Sequence, residues 1–441
     1  MAIVRNGKKS VKRTEKAQEL DLTIQSLSHE AHGVGRHDNK VVFVPGALPG
    51  EEVKVRLQKQ QRHFSQAQLL SIEKASEHRV EPNCPHFERC GACQLQHLAS
   101  AEQLPYKQEN LHQQLTRQLK LNEIPWQAPI ESDGFGYRRR ARLGVRYRKQ
   151  LDEIIIGFRE EANKHLTAID ACPVLEPLLS ALITPMQACI SQLNAKAVIT
   201  QMELIASDQG PIVVLRHLKA LQADDQNTLK AFAKQHECLM YLQGDESLEC
   251  VYPEVETALS YSVSGFELEF QVKDFIQGNA QVNQKMVELA ATWLDLKPEE
   301  TLLDLFAGIG NFSIPLAPKV TSLLAVEGVG PMVERIKHNA QRHNMDNITA
   351  MALNLDDEEL LFRLPKADAI ILDPPRTGAA TLMPWLSKQK SRILYIACEP
   401  SSLVRDAQPL LDAGFRIEKI TVMDMFPQTK HVESMALFVK D

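Results

Sequence analysis

The feature that most constrains the fold is a short apolar run that ends in two closely spaced glycines. The segment Asp304-Leu-Phe-Ala-Gly-Ile-Gly-Asn311 completes this run and leads into a helical pattern. A strand, a glycine turn and a helix in this order are typical of a nucleotide-cofactor site in an open parallel sheet. Glu327 ends the next apolar run, about 20 residues further on, where an acid binds ribose hydroxyls in such sheets. We therefore predict a cofactor site at this turn.

Strands and helices alternate through the C-terminal third of the chain. A helix is predicted at 283–296, and two further strands are predicted within 415–439. The other strand candidates are 301–306, 322–327, 348–353, 369–372 and 393–397. Apolar runs separated by helical segments are typical of a doubly wound parallel sheet. Residues 266–441 are therefore predicted to form a Rossmann-like α/β domain.

The glycine spacing distinguishes two classes of cofactor. Gly308 and Gly310 allow a tight turn and a close approach of the backbone to a ligand. A dinucleotide site has a third glycine three positions later, where this chain has Ser313. This difference disfavours NAD and favours S-adenosylmethionine. Asn354, after the third strand, is a candidate contact for the adenine, with a simple turn as the alternative.

The N-terminal residues predict a basic arm followed by a small β domain. Residues 1–17 carry six Lys or Arg residues and a single Glu. In residues 18–76, short apolar runs alternate with turn residues that include Gly33 and Gly35. We predict five short strands that close into a barrel of the oligonucleotide-binding type. Another small β module is the alternative.

The distribution of charge, rather than the net charge of −6, indicates a nucleic-acid partner. Residues 137–149 contain six Arg and one Lys without an acid, and the run includes Tyr137 and Tyr147. Cations interleaved with aromatic rings suit phosphates and unpaired bases. We therefore predict that this run grips RNA. The basic arm by itself is read as a solvated surface.

A cluster of cysteines predicts a metal centre in the middle of the chain. Disulfides are disfavoured in the cytosol, so closely spaced cysteines there more often bind metals. The three clustered cysteines and the nearest candidate for a fourth ligand are Cys84, Cys90, Cys93 and Cys172. Four thiolates suit either zinc or an iron–sulfur cluster, and the spacing does not choose between them. His86 and His97 are alternative ligands.

The cysteines belong to a predicted central α/β domain at residues 77–265. This domain contains a Gln-rich helical segment, 101–122, that is a candidate for packing on the catalytic domain. A second helix is predicted at 178–193.

The segment Asp373-Pro374-Pro375-Arg376 ends the fourth strand of the C-terminal domain. Two prolines stiffen a loop and remove backbone donors, which leaves carbonyls to face a substrate. Enzymes that methylate exocyclic amines commonly have a Tyr in the position of Arg376, where the ring stacks on the target base. An amino target is therefore disfavoured, and the cation of Arg376 suits a phosphate or a developing oxyanion.

A lone cysteine and a late glutamate predict the chemistry. Cys398 follows the fifth strand and precedes a helix, and a helix N-terminus lowers the pKa of a thiol. A thiolate that adds to C6 of a pyrimidine makes C5 nucleophilic enough to accept a methyl group. A base must then remove the C5 proton so that the thiolate leaves. Glu433 is the candidate base, with His431 as the alternative.

These motifs resemble the bacterial 23S ribosomal RNA uracil-5 methyltransferases that carry an N-terminal TRAM barrel and a four-iron cluster. The most specific match is Met423-Asp-Met-Phe-Pro-x-Thr-x-His-x-Glu433, and Phe275-Ile-Gln277-x-Asn279 also matches. The resemblance implies that Cys398 is the nucleophile and Glu433 the base. It implies a [4Fe–4S] cluster rather than zinc on Cys84, Cys90, Cys93 and Cys172. It also implies that Gln277 contacts substrate or cofactor, and that S-adenosylmethionine lies among Phe306, Asn311, Glu327, Asn354 and Asp373.

The chain departs from this family beside the nucleophile, where Glu399 replaces the usual Asn. A carboxylate aimed at the thiol would raise its pKa, so we expect Glu399 to point away.

The resulting prediction is a multi-domain enzyme that methylates C5 of a uridine in 23S rRNA. We expect a cytoplasmic monomer without a membrane segment. The alternatives are the same chemistry on tRNA, or a non-catalytic iron–sulfur protein that binds RNA. A radical enzyme is disfavoured because Cys-x3-Cys-x2-Cys is absent.

Overall fold

A computed structural model describes residues 18–161, 163–255 and 257–440. The predicted basic arm, residues 1–17, lies outside the described residues. The chain divides into two compact units, Met1–Arg79 and Val80–Asp441. None of the helices in these described ranges is long and apolar enough to cross a bilayer.

The N-terminal unit is a six-stranded sheet in the order β1-β5-β6-β4-β3-β2. Its strands are β1 Glu19–Thr23, β2 Ser26–Leu27, β3 His32–His37, β4 Lys40–Pro45, β5 Glu52–Gln60 and β6 Phe64–Lys74. Alternate apolar side chains of these strands, such as Val53 and Val55, form the core.

The prediction of five strands is wrong by one, and the glycines explain part of the difference. Gly33 and Gly35, read as turn residues, lie inside β3. A Cβ at Gly33 would come within 2.8 Å of the Ala47 carbonyl oxygen, so the strand needs glycine for close backbone packing.

The second unit begins with one long helix and a mixed sheet in the order β13-β12-β11-β10-β7-β8-β9, beside the hairpin β14-β15. The helices are α1 Ser100–Leu119, α2 Pro177–Ser180, α3 Ile183–Gln192 and α4 Ala223–Gln235. The strands are β7 Arg140–Arg148, β8 Glu153–Arg159, β9 Leu166–Ala168, β10 Ile199–Ser207, β11 Gly210–His217, β12 Leu239–Gln243, β13 Leu248–Tyr252, β14 Leu259–Val263 and β15 Phe266–Phe270.

The single helix predicted at 178–193 is wrong, because the structure has α2 and α3 instead. Pro185 lacks the N–H that would bond the carbonyl of Ala181 in a continuous helix. The helix therefore restarts with Pro185 in the first turn of α3, where the missing donor costs little.

The C-terminal part of this unit is a seven-stranded sheet in the order β18-β17-β16-β19-β20-β22-β21. Its strands are β16 Thr301–Leu305, β17 Ser322–Glu327, β18 Ile348–Ala352, β19 Ala369–Leu372, β20 Arg392–Ala397, β21 Arg416–Met423 and β22 Glu433–Val439. Its helices are α5 Ala280–Leu294, α6 Ser313–Leu316, α7 Gly330–Arg342, α8 Met383–Leu386 and α9 Pro400–Asp412. The strands from β16 to β20 are parallel and β22 is antiparallel to its neighbours, so the predicted Rossmann-like fold is confirmed.

Helix α1 packs on the C-terminal sheet region, against α9 and β21. Leu104, Leu111 and Leu115 lie on one face of the helix and share a core with side chains of β16, β19, β20 and α9. The helix therefore belongs to the packing of the C-terminal domain although it precedes the central sheet in the chain.

Leu111 supplies a test of this packing. Because Leu111 is fully buried, we expect Leu111→Ala to lower the free energy of unfolding by about 2–5 kcal/mol. Urea unfolding followed by tryptophan fluorescence measures the change. Leu151→Ala is the matched control, because Leu151 is 65% exposed and should cost little. Equal stability of the two variants would contradict the docking of α1.

Candidate active site

The predicted site residues meet at the edge where the parallel strands end. Phe306, Glu327, Asp373 and Cys398 stand at or directly after the ends of β16, β17, β19 and β20. Neighbouring strands in this sheet are in register, because Leu305 pairs with Leu372. Carboxyl ends of parallel strands are the usual ligand-binding edge of such sheets.

The glycine turn after β16 has the backbone conformation that its sequence predicts. Phe306, Gly308 and Gly310 have φ angles of 62°, 59° and 95°, so three residues lie in the left-handed region. Both oxygens of the Glu327 carboxylate accept hydrogen bonds from backbone amides, at 3.0 Å from Gly308 N and 3.0 Å from Val329 N. Glu327 thus holds the turn and faces the predicted cofactor site.

Asn311 is tied to two other elements of the unit. Its side-chain amide exchanges two hydrogen bonds of 2.9 Å with Asn283 of α5, and its Oδ1 accepts a third from the Tyr261 hydroxyl at 3.0 Å. The side chain therefore positions the cofactor loop. Asn354 Oδ1 accepts from Asp356 N at 3.1 Å, which is the turn considered as the alternative for that segment.

Strand register places the candidate nucleophile beside the candidate base. Ala397 of β20 pairs with Ser434 of the antiparallel β22. Cys398 is the next residue after β20 and Glu433 is the first residue of β22, so the two come side by side, and the charge of Glu433 acts on the thiol. Glu433 is 9% exposed, and Cys398 is partly exposed at the start of α9.

Burial and neighbouring carboxylates raise the pKa values of the acidic groups in this site. Burial, Glu433 and Asp373 raise the pKa of the Cys398 thiol to about 12, against the opposing charge of Arg376. Burial and Asp373 raise the pKa of Glu433 to about 8. Burial also raises the pKa of Asp373 to about 7, although its hydrogen bond from Gln277 opposes the shift. The predicted lowering of the thiol pKa is therefore wrong for the protein alone, because desolvation and two carboxylates outweigh the start of α9.

Two further titratable residues, His431 and Glu399, lie near Cys398 and Glu433. Burial, together with the cations Arg376 and Lys430, lowers the pKa of His431 to about 4, so its imidazole is neutral. An imidazole with that pKa holds an abstracted proton poorly, which favours Glu433 as the base. Glu399 accepts a hydrogen bond from Ser401 Oγ at 3.3 Å, in the first turn of α9.

Gln277 joins the second matched motif to the acidic loop. Its Nε2 donates to Asp373 Oδ2 at 3.1 Å. The next residue, Gly278, lies against the ring of Phe426, which a Cβ would approach to 2.9 Å. The motif therefore packs on both the Asp373 loop and residues 424–431.

Sequence reasoning missed two buried polar residues of α1 that contact residues 424–431. Lys107 Nζ donates to Asp424 Oδ1 at 2.7 Å and to the Phe426 carbonyl at 3.0 Å. Gln103 and Gln428 exchange two hydrogen bonds of 2.9 Å. The available signal was a polar pair four residues apart among leucines of one helix face.

The four predicted metal ligands come together. Cys84, Cys90, Cys93 and Cys172 line one cavity with the apolar side chains of Phe87, Phe158 and Ile169. Burial raises the pKa of the Cys90 thiol to about 11 and that of Cys93 to about 12. The alternative ligands lie outside this cavity lining: His86 Nε2 is 3.1 Å from Asp170 Oδ1, and His97 is buried beside Phe87.

Four thiols are a donor set that both zinc and an iron–sulfur cluster accept. Among the residues that the structure describes, no group of three or more Cys, His, Asp or Glu side chains is arranged to hold a metal ion, so the metal centre stays a prediction.

Part of the basic run 137–149 faces the core, so the prediction that it binds RNA is wrong for those residues. Tyr137 is 4% exposed, and its hydroxyl donates to the Pro427 carbonyl at 2.9 Å. Arg139 is buried over the ring of Tyr261, 4.5 Å from the ring centroid. Neither side chain is available to a nucleic acid in this conformation.

The remaining arginines of β7 alternate with the buried Ala141, Leu143 and Val145, so they share the other face of the strand. Arg140 is tied to Glu203 at 2.9 Å and to the Val272 carbonyl at 2.8 Å. Arg142, Arg146 and Arg148 point outward from the same strand and are exposed. Arg142 is ion-paired with Glu203 and Arg148 with Glu153, and all three side chains remain exposed to solvent.

The parallel sheet and its glycine turn are the fold of an enzyme that binds a nucleotide cofactor, and a thiol and a carboxylate lie at the ligand-binding edge of the sheet. A model of the tRNA (uracil-5-)-methyltransferase family matches residues 99–441, and a model of the TRAM domain matches residues 13–70. The chain belongs to the RNA uracil-5-methyltransferase family, and its N-terminal unit contains a TRAM domain. Both expectations from the sequence resemblance are thereby confirmed.

Curated relatives match nearly the whole chain. A 23S rRNA (uracil(1939)-C(5))-methyltransferase of Shewanella sediminis is 42% identical and covers 96% of this chain and 96% of the relative. The enzyme of the same name from Pectobacterium atrosepticum is 40% identical, with 99% and 97% coverage.

A solved structure shares the fold. The Pyrococcus abyssi tRNA (uracil-54, C5)-methyltransferase, in complex with S-adenosyl-L-homocysteine, superposes with a TM-score of 0.72 at 22% identity. It covers 95% of this chain and is itself covered completely.

The reactivity of Cys398 tests the electrostatics of the site. At about pH 9, above the Glu433 pKa of about 8, Glu433→Gln removes a negative charge and should lower the thiol pKa. We expect faster alkylation of Cys398 by iodoacetamide, measured by mass spectrometry of its peptide. Asp412→Asn is the control, because that carboxylate is exposed at the opposite end of α9. Equal alkylation rates in wild type and Glu433→Gln would refute the coupling.

Proposed function

We propose that this protein transfers a methyl group from S-adenosylmethionine to C5 of a uridine in 23S ribosomal RNA. The observation that carries the proposal is the strand register that sets Cys398 against Glu433. The reaction at C5 needs a thiol and a proton acceptor on one nucleobase, and a sheet edge with both groups supplies them.

The chemistry follows from the geometry of these two residues. The thiolate of Cys398 adds to C6 of the uracil ring, and C5 gains the electron density to accept the methyl group. C5 then carries both the methyl group and its original proton. The Glu433 carboxylate removes that proton, the C5–C6 double bond forms again, and the bond between sulfur and C6 breaks. The raised pKa of Glu433 makes it a stronger proton acceptor than an ordinary carboxylate.

The edge of the sheet supplies the cofactor contacts in this proposal. Glu327 binds the ribose hydroxyls, Asn354 lies near the adenine, and Phe306 and Asn311 shape the turn between them. Asp373, joined to Gln277, lies between this turn and the uracil. A methyl donor with a sulfonium charge suits a site in which buried acids outnumber cations.

The cysteine cavity holds a [4Fe–4S] cluster in this proposal, through Cys84, Cys90, Cys93 and Cys172. When bound, the cluster links two segments of the central domain, and the methyl transfer itself needs no electron. The TRAM domain and the exposed arginines of β7 each bind RNA, and the target uridine is flipped out of its helix to reach the active site.

The substrate is taken to be 23S rRNA because the full-length relatives at about 40% identity carry that name. The tRNA enzyme of Pyrococcus abyssi shares only 22% identity with this chain, which supports a shared fold but not a shared substrate. A non-catalytic iron–sulfur protein would not need Cys398 and Glu433 side by side.

Product analysis tests the proposal directly. Purified protein is incubated with labelled S-adenosylmethionine and either unmodified 23S rRNA or tRNA, and the nucleosides are identified. We expect 5-methyluridine in the 23S rRNA only, and its complete loss in Cys398→Ala. Label in tRNA alone would show that tRNA, and not 23S rRNA, is the substrate. No label in either RNA would refute the proposed methyltransferase activity.

A separate measurement addresses the metal centre. Cys93→Ser removes one of the four thiols, so we expect loss of the broad visible absorption and of most bound iron after anaerobic reconstitution. Cys189→Ser is the control, because Cys189 lies in the apolar core away from the cavity. Zinc in place of iron, or iron retained by Cys93→Ser, would contradict the proposed cluster.

A further inference from the structure

Residues 424–431, followed by Val432, connect β21 to β22, whose first residue is Glu433. Met423 and Glu433 are paired across the two strands, so the connection starts and ends beside the proposed base. Gln428, in the middle of this connection, has a φ of 68°, which a residue with a side chain rarely adopts. Such a conformation persists only where surrounding contacts hold it.

Gln103 holds the middle of the connection. Its Oε1 accepts from Gln428 N and its Nε2 donates to Gln428 Oε1, both at 2.9 Å. The same Nε2 lies 3.1 Å from the Leu95 carbonyl and 3.0 Å from the Leu98 carbonyl. The Gln428 carbonyl in turn accepts from Leu95 N at 3.0 Å. The left-handed residue is therefore hydrogen-bonded through its backbone and its side chain.

Lys107 holds the start of the connection, one turn further along α1. Its side chain is fully buried, and its ammonium group bonds the Asp424 carboxylate and the Phe426 carbonyl. Asp424 directly follows Met423, the register partner of Glu433. A buried ion pair with a second acceptor fixes the direction of the chain as it leaves β21.

We propose that Gln103 and Lys107 are positioning residues that aim Glu433 at the C5 proton. The proposal rests on the function proposed above. Cys398 is placed by other elements, because it stands between the end of β20 and the start of α9. Loss of either α1 side chain should therefore slow proton removal while leaving addition of the thiol and methyl transfer in place.

This assignment makes a specific chemical prediction. If the C5 proton stays, the methylated ring keeps its bond from C6 to the sulfur of Cys398. Lys107→Met should therefore accumulate a denaturation-resistant complex with ordinary uridine-containing RNA, which turnover clears in wild type. A defect in folding alone would slow thiol addition, methyl transfer and proton removal together, so this complex would not accumulate.

The experiment compares two substrates in single-turnover reactions, read on denaturing gels. With uridine RNA, we expect Lys107→Met and Gln103→Leu to slow product release by roughly ten- to a hundredfold and to accumulate the complex. With 5-fluorouridine RNA, whose fluorine cannot leave as a proton, trapping should proceed at the wild-type rate. Arg117→Met and Gln118→Leu, exposed positions of the same helix, are the matched controls and should resemble wild type.

The outcomes separate this inference from the function on which it rests. Equal losses of trapping on both substrates, or no loss of turnover, would overturn the positioning role. Asp424→Asn removes the same ion pair by changing the partner of Lys107. The same two-substrate comparison can therefore be made with Asp424→Asn if Lys107→Met does not fold. Failure of wild type to trap 5-fluorouridine RNA while still methylating uridine RNA would instead overturn the covalent mechanism.

Discussion

The antiparallel insertion of β22 between β20 and β21 is the constraint on which the site depends. Parallel strands all deliver their last residues to one edge of the sheet, and β20 delivers Cys398 there. An antiparallel strand delivers its first residue to that same edge, and the first residue of β22 is Glu433. With Ala397 paired to Ser434, the sheet itself makes the thiol and the carboxylate neighbours, which leaves only the direction of the carboxylate to residues 424–431. A parallel β22 would carry Glu433 to the opposite end of the sheet.

The same arrangement concentrates negative charge. Asp304, Asp373 and Glu433 all have pKa values raised by burial, and Asp304 and Asp373 stand at about 7. In a site of low dielectric, ionising one of these groups makes the next ionisation harder. The free protein therefore keeps the Cys398 thiol protonated. A cationic methyl donor would reverse this balance, because one positive charge favours ionisation of every acid around it.

The sequence predicted the parts of the molecule that local patterns determine. Buried parallel strands read as continuous apolar runs, so β16, β17 and β19 were placed within a residue of their observed bounds. The structural role of a glycine was harder to predict, because this residue type forms a turn at Gly308 and allows close packing inside a strand at Gly33. Only the tertiary structure tells these two uses apart.

The arginine run and α1 show a second limit of sequence reasoning. Counting cations in residues 137–149 predicts a basic surface, but a strand alternates its faces, and Arg139 is turned into the core over Tyr261. Lys107 lies 317 positions before its partner Asp424, so no local pattern relates them. Such partners become visible only when the chain is folded.

A fully buried Lys107 is a poor source of stability, because removing two charges from water costs nearly as much as their attraction returns. Burial lowers the pKa of this lysine even though Asp424 opposes the shift. Replacing both partners of such a pair by apolar side chains is often neutral for stability. The ion pair instead fixes the direction of the chain after β21, because the ammonium group of Lys107 must meet both the Asp424 carboxylate and the Phe426 carbonyl. The polar end of α1 is therefore better explained by control over residues 424–431 than by its contribution to folding.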